Sequence, residues 1–325
     1  MTNFVTNIAI VGSSGHCGGA ITSAILSAKK HKLTAITRLD SKSALPSGLH
    51  DVKKVDYSSL PDVINALQGQ DVLISCLSLN ADPTVLYTLI DAAIAAGVRF
   101  IMPNEWGGDI SNEAVSRDTF LLEKFQAVRD YVEKNGNGKT SWIGCACGFW
   151  YEFSLAGTEA RYGFDFKKKD VTFYNDGHLK INTSTWSQIG RGVAQLLSLP
   201  IDRDATTGTG PVISDWANRA IKIRSFSIDQ HEMFESVLRA TGDKPEDWTV
   251  DHEDVVERYN RGRQLMQQGQ RMLGFCTCLY SRNFYPDALG TKFDNELLGL
   301  PEEDLDTATK TAVGMAARGE HNAHW

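Results

Sequence analysis

The stretch Asn-Ile-Ala-Ile-Val-Gly-Ser-Ser-Gly-His-Cys-Gly-Gly, residues 7–19, decides the fold of this chain of 325 residues. Its apolar beginning is typical of a buried parallel strand, and residues 20–28 have the composition of a helix. Between them, Gly12, Gly15 and Gly18 stand at G-x-x-G-x-x-G spacing, which predicts a strand–turn–helix unit that binds a dinucleotide. In such a unit the first glycine permits the tight turn, the second lets the backbone approach the pyrophosphate, and the third lets the helix pack on the strand.

The start of the helix after these glycines would present free N–H groups and a partial positive charge to the phosphates. We therefore expect the neighbouring residues Ser14, His16 and Cys17 to contact the cofactor as well. For His16, the alternative is that it lies beside the cofactor without contributing to its binding. An ordinary glycine-rich turn is the alternative for the whole motif, but the strand before it and the second strand after it favour the dinucleotide.

The second predicted strand, residues 33–37, ends on Arg38, at the position that selects between the two nicotinamide cofactors. An acidic residue there would bind the ribose 2′-hydroxyl of NAD, whereas an arginine pairs with the 2′-phosphate of NADP. The sequence therefore predicts NADPH (or NADP+) as the cofactor, with Arg38 as the main phosphate partner and Lys42 as a second one. A solvated surface charge is the alternative for Arg38, and Asp40 is the residue that argues against this assignment.

Composition narrows the function classes. The chain is 42% hydrophobic and 22% charged, as expected of a globular protein, and its net charge of −7 argues against nucleic acid as a partner. No segment is long and apolar enough for a membrane span, and the N-terminus lacks the pattern of a secretory signal. The six cysteines lack the usual zinc spacing. We therefore expect a cytoplasmic protein with reduced thiols and no metal site.

Strand and helix alternate in the first half of the chain. This order predicts an α/β fold: a Rossmann-type doubly wound parallel sheet in a domain of residues 1–155, followed by a smaller α+β substrate lobe of residues 156–325, partly interleaved with the sheet. The predicted strands are residues 7–11, 33–37, 52–56, 71–76, 98–102 and 141–147, and the helices are residues 17–29, 59–68, 83–96 and 116–135. In the second half we predict helices over 186–199, 230–241, 254–270 and 305–318, an exposed strand over 219–228 and an apolar, pocket-lining segment over 274–285.

Ligands of such a sheet bind beyond the carboxyl ends of its strands. Residues that follow the strands are therefore candidate ligand contacts. For the cofactor these are Cys76, Leu77, Ser78, Asn104 and Phe149. For the substrate they are Glu105, Trp106, Trp150 and Tyr151, with the aromatic members suited to a flat, apolar molecule. Loop bracing is the alternative for Glu105, and plain core packing is the alternative for the aromatic cluster.

Two further stretches carry a family resemblance. Residues 100–107 read Phe-Ile-Met-Pro-Asn-Glu-Trp-Gly, and residues 120–133 contain Lys124, then Arg129 five residues on, then a glutamate. This pair resembles the NmrA-like and isoflavone-reductase-like family of atypical short-chain dehydrogenases, in particular its fungal members. There the fifth strand leads into a Pro-Ser-Glu-Phe-Gly type motif, and a later helix carries the lysine and arginine. The glycine loop departs slightly from the family, which usually has Ala-Thr where this chain has Ser13-Ser14.

The resemblance implies NADPH use, a substrate cleft between two lobes and the reduction of a small aromatic or conjugated metabolite at a C=C, C=N or C=O bond. In the reductases of this family the helix lysine lies near the nicotinamide, so Lys124 is the predicted catalytic residue and also a cofactor contact. The Tyr-x-x-x-Lys pair of ordinary short-chain dehydrogenases is missing, because Phe120 stands four residues before Lys124. The family also contains regulators that sense NADP(H) without turnover, and this is the alternative, together with an inactive relative. A homodimer is a candidate assembly.

Overall fold

Parallel strands from the first half of the chain build the central sheet. The computed structural model describes residues 3–78, 81–204 and 208–320. The elements of this half are, in chain order, β1 (Asn7–Val11), α1 (His16–Ala28), β2 (Lys32–Arg38), β3 (Asp51–Val55), α2 (Leu60–Leu67), β4 (Val72–Ser75), α3 (Pro83–Ala96), β5 (Phe100–Met102), β6 (Trp106–Gly107), α4 (Glu113–Asp118), α5 (Leu122–Asn135) and β7 (Ser141–Ala146).

The second half adds short strands and longer helices. They are β8 (Phe149–Trp150), α6 (Tyr151–Leu155), β9 (Phe164–Asp165), β10 (Asp170–Tyr174), β11 (Ile181–Ser184), α7 (Trp186–Leu197), β12 (Arg219–Lys222), β13 (Phe226–Ile228), α8 (Gln230–Thr241), β14 (Thr249–Glu253), α9 (Val255–Gln267), α10 (Arg271–Asn283) and α11 (Leu305–Ala317). Among the described residues, no helix is both long and apolar enough to cross a bilayer.

The strand order of the main sheet is β12-β7-β5-β4-β1-β2-β3, and β6 pairs with the end of β7. All pairs in this sheet are parallel. The order reverses at β1, between β4 and β2, which is the point where doubly wound sheets bind their ligands. The predicted Rossmann-type α/β fold is therefore confirmed.

Alternate residues of β1 face opposite sides of the sheet, and both sides are covered. Ile8 and Ile10 pack in one core with residues of α1 and α7, whereas Ala9 and Val11 pack in another with residues of α2 and α3. A separate core between the later helices is rich in aromatic side chains and includes Tyr162, a fully buried residue. Two small sheets, β14-β10-β9 and β13-β11-β8, lie in the second half.

Two predicted elements differ from the structure. Residues 116–135 are not one helix, because the chain breaks between α4 and α5 at Phe120, which has a φ of +61°. Residues 219–228 are not one exposed strand: β12 extends the central sheet beside β7, and β13 pairs with β11. The predicted helices over 186–199, 230–241, 254–270 and 305–318 are confirmed as α7, α8, α9 and α11, and the apolar segment 274–285 lies largely in α10.

The helices α1 and α7 pack closely on one face of the sheet because a glycine stands at their contact. A Cβ atom added at Gly190 would lie 2.5 Å from the carbonyl oxygen of Ala20, so any side chain there would push the helices apart. The contact brings the first residues of the two helices together, and the ring of His16 stacks on Trp186 with 4.5 Å between centroids. Since α7 and β12 both come from the second half, the division after residue 155 stays a proposal.

We predict that Gly190→Ala lowers the free energy of unfolding by about 1–3 kcal/mol, because an added methyl group overpacks the helix contact. Urea-induced unfolding followed by tryptophan fluorescence measures this change. The matched control is Gly314→Ala in α11, where the added Cβ would meet only the far end of the flexible Arg318 side chain, at 3.2 Å. That control should be neutral or stabilising by up to about 1 kcal/mol. Equal effects of the two substitutions would contradict the proposed packing constraint.

Candidate functional site

The glycine loop between β1 and α1 is wedged against the end of β4. Gly12 has a φ of +81°, and a Cβ atom added to it would lie 2.0 Å from the carbonyl oxygen of Cys76. A Cβ atom added to Gly18 would lie 2.1 Å from the carbonyl oxygen of Gly12. Both positions therefore exclude any side chain, and the start of α1 is held directly over the carboxyl edge of the sheet.

Gly15 differs, since the described residues around it leave space for a side chain. Its added Cβ atom would make only an ordinary contact of 3.5 Å, with the carbonyl oxygen of Gly12. Gly15 is the N-cap residue of α1, no side chain caps the helix, and no acidic residue lies in its first turn. Ser14 and His16 are exposed beside it. An open backbone cradle with uncapped N–H groups is the arrangement that fits a dinucleotide pyrophosphate.

Thiols line the underside of this loop. Cys17 is buried and Cys76 half-buried, and a hydrogen bond between their side chains, together with burial, raises the pKa of Cys17. In β7 and just after it, a hydrogen bond between the side chains of Cys145 and Cys147, together with burial, raises the pKa of Cys145. Such thiols stay protonated at neutral pH. Cys17 therefore packs beneath the loop, and Cys76 keeps a partly exposed edge at the end of β4.

Two cations lie where β2 leaves the sheet. Arg38 and Lys42 are both exposed. The Nε atom of Arg38 lies 3.8 Å from Oδ1 of Asp40, and both side chains are largely exposed, at 71% and 82%. A pair this long and this solvated contributes little, so the guanidinium is available to an incoming anion.

The segment after β4 is braced from the neighbouring strand. The side-chain oxygen of Asn104 accepts a hydrogen bond from the backbone N–H of Leu77 at 3.0 Å, and its amide nitrogen donates to the carbonyl of Leu77 at 3.1 Å. Ser78 follows and is exposed. The Asn104 side chain is thus engaged with the protein, and it holds the Leu77 backbone along the edge where the cofactor is expected.

Glu105 is not available to a substrate, so its predicted role as a substrate contact is wrong. Its side chain is 3% exposed and forms a two-pronged ion pair with Arg129, whose Nε lies 3.1 Å from Oε2. Burial raises the pKa of Glu105, although Arg129 opposes this rise. The guanidinium also lies over the ring of Trp142, at 4.2 Å from its centroid. This buried pair joins the loop after β5 to α5, as the loop-bracing alternative proposed.

The aromatic candidates, which lie in β6, in β8 and at the start of α6, differ in how deeply they are buried. Tyr151 is fully buried, and its hydroxyl shares a hydrogen bond of 2.7 Å with Thr309, so its predicted contact with substrate is wrong. Burial also raises its pKa, which makes the hydroxyl a weaker acid. Trp106 is half-buried and donates from Nε1 to the carbonyl of Ser75 at 2.8 Å. Phe149 stacks on Tyr280 at 4.1 Å, while Trp150 keeps part of its surface open.

The structure adds Glu152, which the sequence reasoning did not single out. Its side chain is 6% exposed, and its carboxylate accepts one long hydrogen bond, 3.4 Å, from the backbone N–H of Trp186. Burial raises the pKa of Glu152 to about 7, and the nearby carboxylate of Glu303 adds to the rise. The indole N–H groups of Trp150 and Trp186 are buried and have no hydrogen-bond partner within residues 3–78, 81–204 and 208–320. A charged residue inside the aromatic run of residues 149–153 was the signal available in the sequence.

Lys124 lies in the first turn of α5 and is exposed. Within the part of the chain that the structure describes, it forms no hydrogen bond or ion pair. The end of α5 leads into the start of β7, at the amino edge of the parallel sheet. The first turn of α5 therefore lies at the opposite edge, where the strands have their carboxyl ends. That is the edge on which the glycine loop opens, so Lys124 and the backbone cradle share one side of the molecule.

The parallel sheet with a glycine cradle at its reversal point defines a Rossmann-type nucleotide-binding protein. Residues 12–136 match the family described as NAD(P)H-binding, so the chain carries an NAD(P)H-binding domain. The oxidoreductase aprR of Aspergillus flavus is 28% identical over 309 residues, covering 92% of this chain and 96% of the relative. The oxidoreductase poxI of Penicillium oxalicum is 26% identical over 313 residues, covering 90% of each.

Solved structures show the same fold. An isoflavone reductase superposes with a TM-score of 0.71 at 17% identity, covering 94% of this chain and 98% of that one. AtPrR2 with NADP+ and (+)pinoresinol gives a TM-score of 0.72 at 17% identity, with coverage of 94% and 98%. The predicted resemblance to isoflavone reductases is therefore confirmed at the level of the fold.

The buried carboxyl of Glu152 makes stability depend on pH. Because its pKa is about 7 in the folded chain and about 4.5 when exposed, the native state retains a proton that the unfolded state releases between these values. Stability should therefore fall as the pH rises from about 4.5 to 7, by up to about 3 kcal/mol from this group. Glu152→Gln should remove this part of the pH dependence.

Urea-induced unfolding at pH 5 and pH 8 measures this effect in wild type and variant. Glu296→Gln, at an exposed position, is the control and should keep the wild-type dependence. If the free energy of unfolding of Glu152→Gln differs between pH 5 and pH 8 as much as that of wild type, the Glu152 carboxyl does not titrate in this range.

Proposed function

We propose that this protein is an NADPH-dependent reductase of a small aromatic or conjugated metabolite. The observation that carries the proposal is the free ammonium of Lys124 on the edge of the sheet where the glycine cradle opens. Lys124 is exposed and has no partner among the described residues, so its ammonium is free to meet a bound cofactor; an ordinary surface lysine is the alternative. The fungal relatives described as oxidoreductases support the reaction class. The isoflavone and pinoresinol proteins support the aromatic nature of the substrate.

The residues present suit the parts of NADPH. The uncapped N–H groups at the start of α1 would bind the pyrophosphate, and Arg38 with Lys42 would bind the 2′-phosphate. The Leu77 segment, held by Asn104, would run along the cofactor. When bound, NADPH supplies a hydride to an electrophilic carbon of a C=C, C=N or C=O bond.

Lys124 would position the nicotinamide end and assist proton transfer. Its ammonium offers three N–H donors, which suit the hydroxyls of a ribose. The tyrosines near the site do not compete for this task, because Tyr151 is buried and the hydroxyl of Tyr131 donates to Asp91 at 2.7 Å. The proton that balances the hydride would then come from water, from the substrate or through Lys124.

We predict that Lys124→Ala lowers the turnover of NADPH with a conjugated aromatic acceptor by roughly 100-fold or more, while NADPH binding changes only a few-fold. Turnover is measured by the loss of nicotinamide absorbance, and binding by quenching of tryptophan fluorescence. Lys134→Ala, at an exposed lysine near the end of the same helix, is the matched control and should behave as wild type. Undiminished turnover in Lys124→Ala would remove the proposed role. Binding of NADPH without any turnover in wild type would favour the sensing protein instead.

A second prediction concerns the choice of cofactor. Arg38→Ala should weaken NADPH binding by about tenfold or more, because a charge-assisted pair with the 2′-phosphate is lost. It should leave NADH binding nearly unchanged, since NADH lacks that phosphate. Fluorescence titration with both nucleotides at one salt concentration tests this, and NADH serves as the internal control. An equal loss for the two nucleotides would contradict the assignment of Arg38 to the 2′-phosphate.

A further inference from the structure

An apolar cavity lies beside the break between α4 and α5, and its lining includes no residue of the glycine loop. Its volume is about 350 Å³, and it is lined by Phe120, Met266, Arg271, Met272 and Phe275. Phe120 and Met272 remain 44% and 43% exposed, so both present apolar surface to a molecule in the cavity. The volume is within the range of pockets that bind small molecules.

The walls of this cavity are held in place from both sides. Gly262 of α9 and Gly274 of α10 face each other so closely that an added Cβ atom at either would lie within 3 Å of the opposite helix. The end of α4 is fixed to this helix pair at Asp118: its carboxylate lies 2.6 Å from Nε of Arg282, and its carbonyl accepts from the hydroxyl of Tyr259 at 2.7 Å. The wall is therefore built before any ligand arrives.

Phe120 is held in the left-handed backbone region at the mouth of this wall. Its N–H donates to the carbonyl of Arg117 at 3.0 Å, and its φ is +61°, a conformation that costs a residue other than glycine about 1 kcal/mol or more. It stands four residues before Lys124, on the same edge of the sheet. The ring stays partly exposed to solvent, just before the start of the helix that carries Lys124.

The charge of the cavity is set by one residue. Arg271 is the charged member of the five that line it, is exposed, and has no ion pair or hydrogen bond within the described ranges. The methionines supply flexible, polarisable surface, which adapts to rings of different outline. A flat apolar wall with one free guanidinium complements an aromatic ring that carries an anionic oxygen.

We propose that this cavity binds the substrate as a planar aromatic anion, with its ring on Phe120 and the two methionines and its anionic group paired with Arg271. That the bound molecule is a substrate rests on the proposed reductase function. The existence of the cavity does not, because none of its lining residues belongs to the glycine loop. The proposal implies that aromatic acids and phenolates bind more tightly than neutral compounds of the same shape.

Two probes of nearly equal shape separate charge from ring contact. The first is 8-anilinonaphthalene-1-sulfonate, an aromatic anion, and the second is N-phenyl-1-naphthylamine, which has the same rings without the sulfonate. Both are titrated by fluorescence with NADP+ at high concentration. Arg271→Gln should weaken binding of the anion by roughly three- to tenfold and leave the neutral probe within about twofold. The matched control is Arg263→Gln, an exposed arginine of α9 outside the cavity, and should change neither.

Phe120→Gly removes the ring while relieving the strained backbone, so folding is preserved. It should weaken both probes by about tenfold or more. Wild-type binding of the anion in Arg271→Gln, or of both probes in Phe120→Gly, would overturn the proposal. Sedimentation is measured in parallel, and a dimer that dissociates in Phe120→Gly would show that a second copy covers this surface, which would also overturn it.

The two proposals fail separately. Probe binding with the expected pattern, but without NADPH turnover, would leave the cavity standing and remove the reductase. Turnover that persists while neither variant changes probe binding would keep the reductase and remove the cavity as its substrate site.

Discussion

The whole arrangement depends on the contact of the glycine loop with the strand ends. Gly12 lies against the carbonyl of Cys76, and Gly18 against the carbonyl of Gly12, with no space for a side chain at either. This contact fixes where α1 begins. The second contact of α1, at Gly190, then fixes α7, so a helix from the second half of the chain is positioned by the nucleotide-binding loop. The same helix, α1, therefore forms part of the cofactor cradle and anchors the second half of the chain on the sheet.

Most of the sheet could be predicted from local sequence because each βα unit carries its own signals. Apolar runs, a glycine after a helix and a short connection suffice to place β1 to β5 and β7. The break at Phe120 carries no such signal, since residues 116–135 contain neither glycine nor proline. It arises from distant contacts of Asp118 with Arg282 and Tyr259. The pairing of β12 with β7 likewise joins residues far apart in the chain. The alternation of apolar and polar residues along 219–222 predicts a strand but not its partner.

In the candidate site, too, the sequence predicted which types of residue are present but not the surroundings of each side chain. The sequence identified Lys124 and Arg38 as cations at strand and helix ends, and both are exposed there. It could not tell which member of an aromatic run enters the core, and Tyr151 does so completely. Nor could it foresee that Glu105 pairs with Arg129, because the two residues meet only after β5 and α5 pack together. Glu152 was missed for a related reason: a charged residue in a sequence normally indicates surface.

Arg282 joins regions that the chain order keeps apart. It is 4% exposed, and besides Asp118 its guanidinium lies 2.7 Å from Asp287, which follows α10. Separating the two regions would break the pair with Asp118 and leave the buried guanidinium with Asp287 alone. Opening of the two halves about a hinge is therefore energetically opposed at this point. A surface held in place in this way needs less ordering when a ligand binds near it, so less conformational entropy is lost.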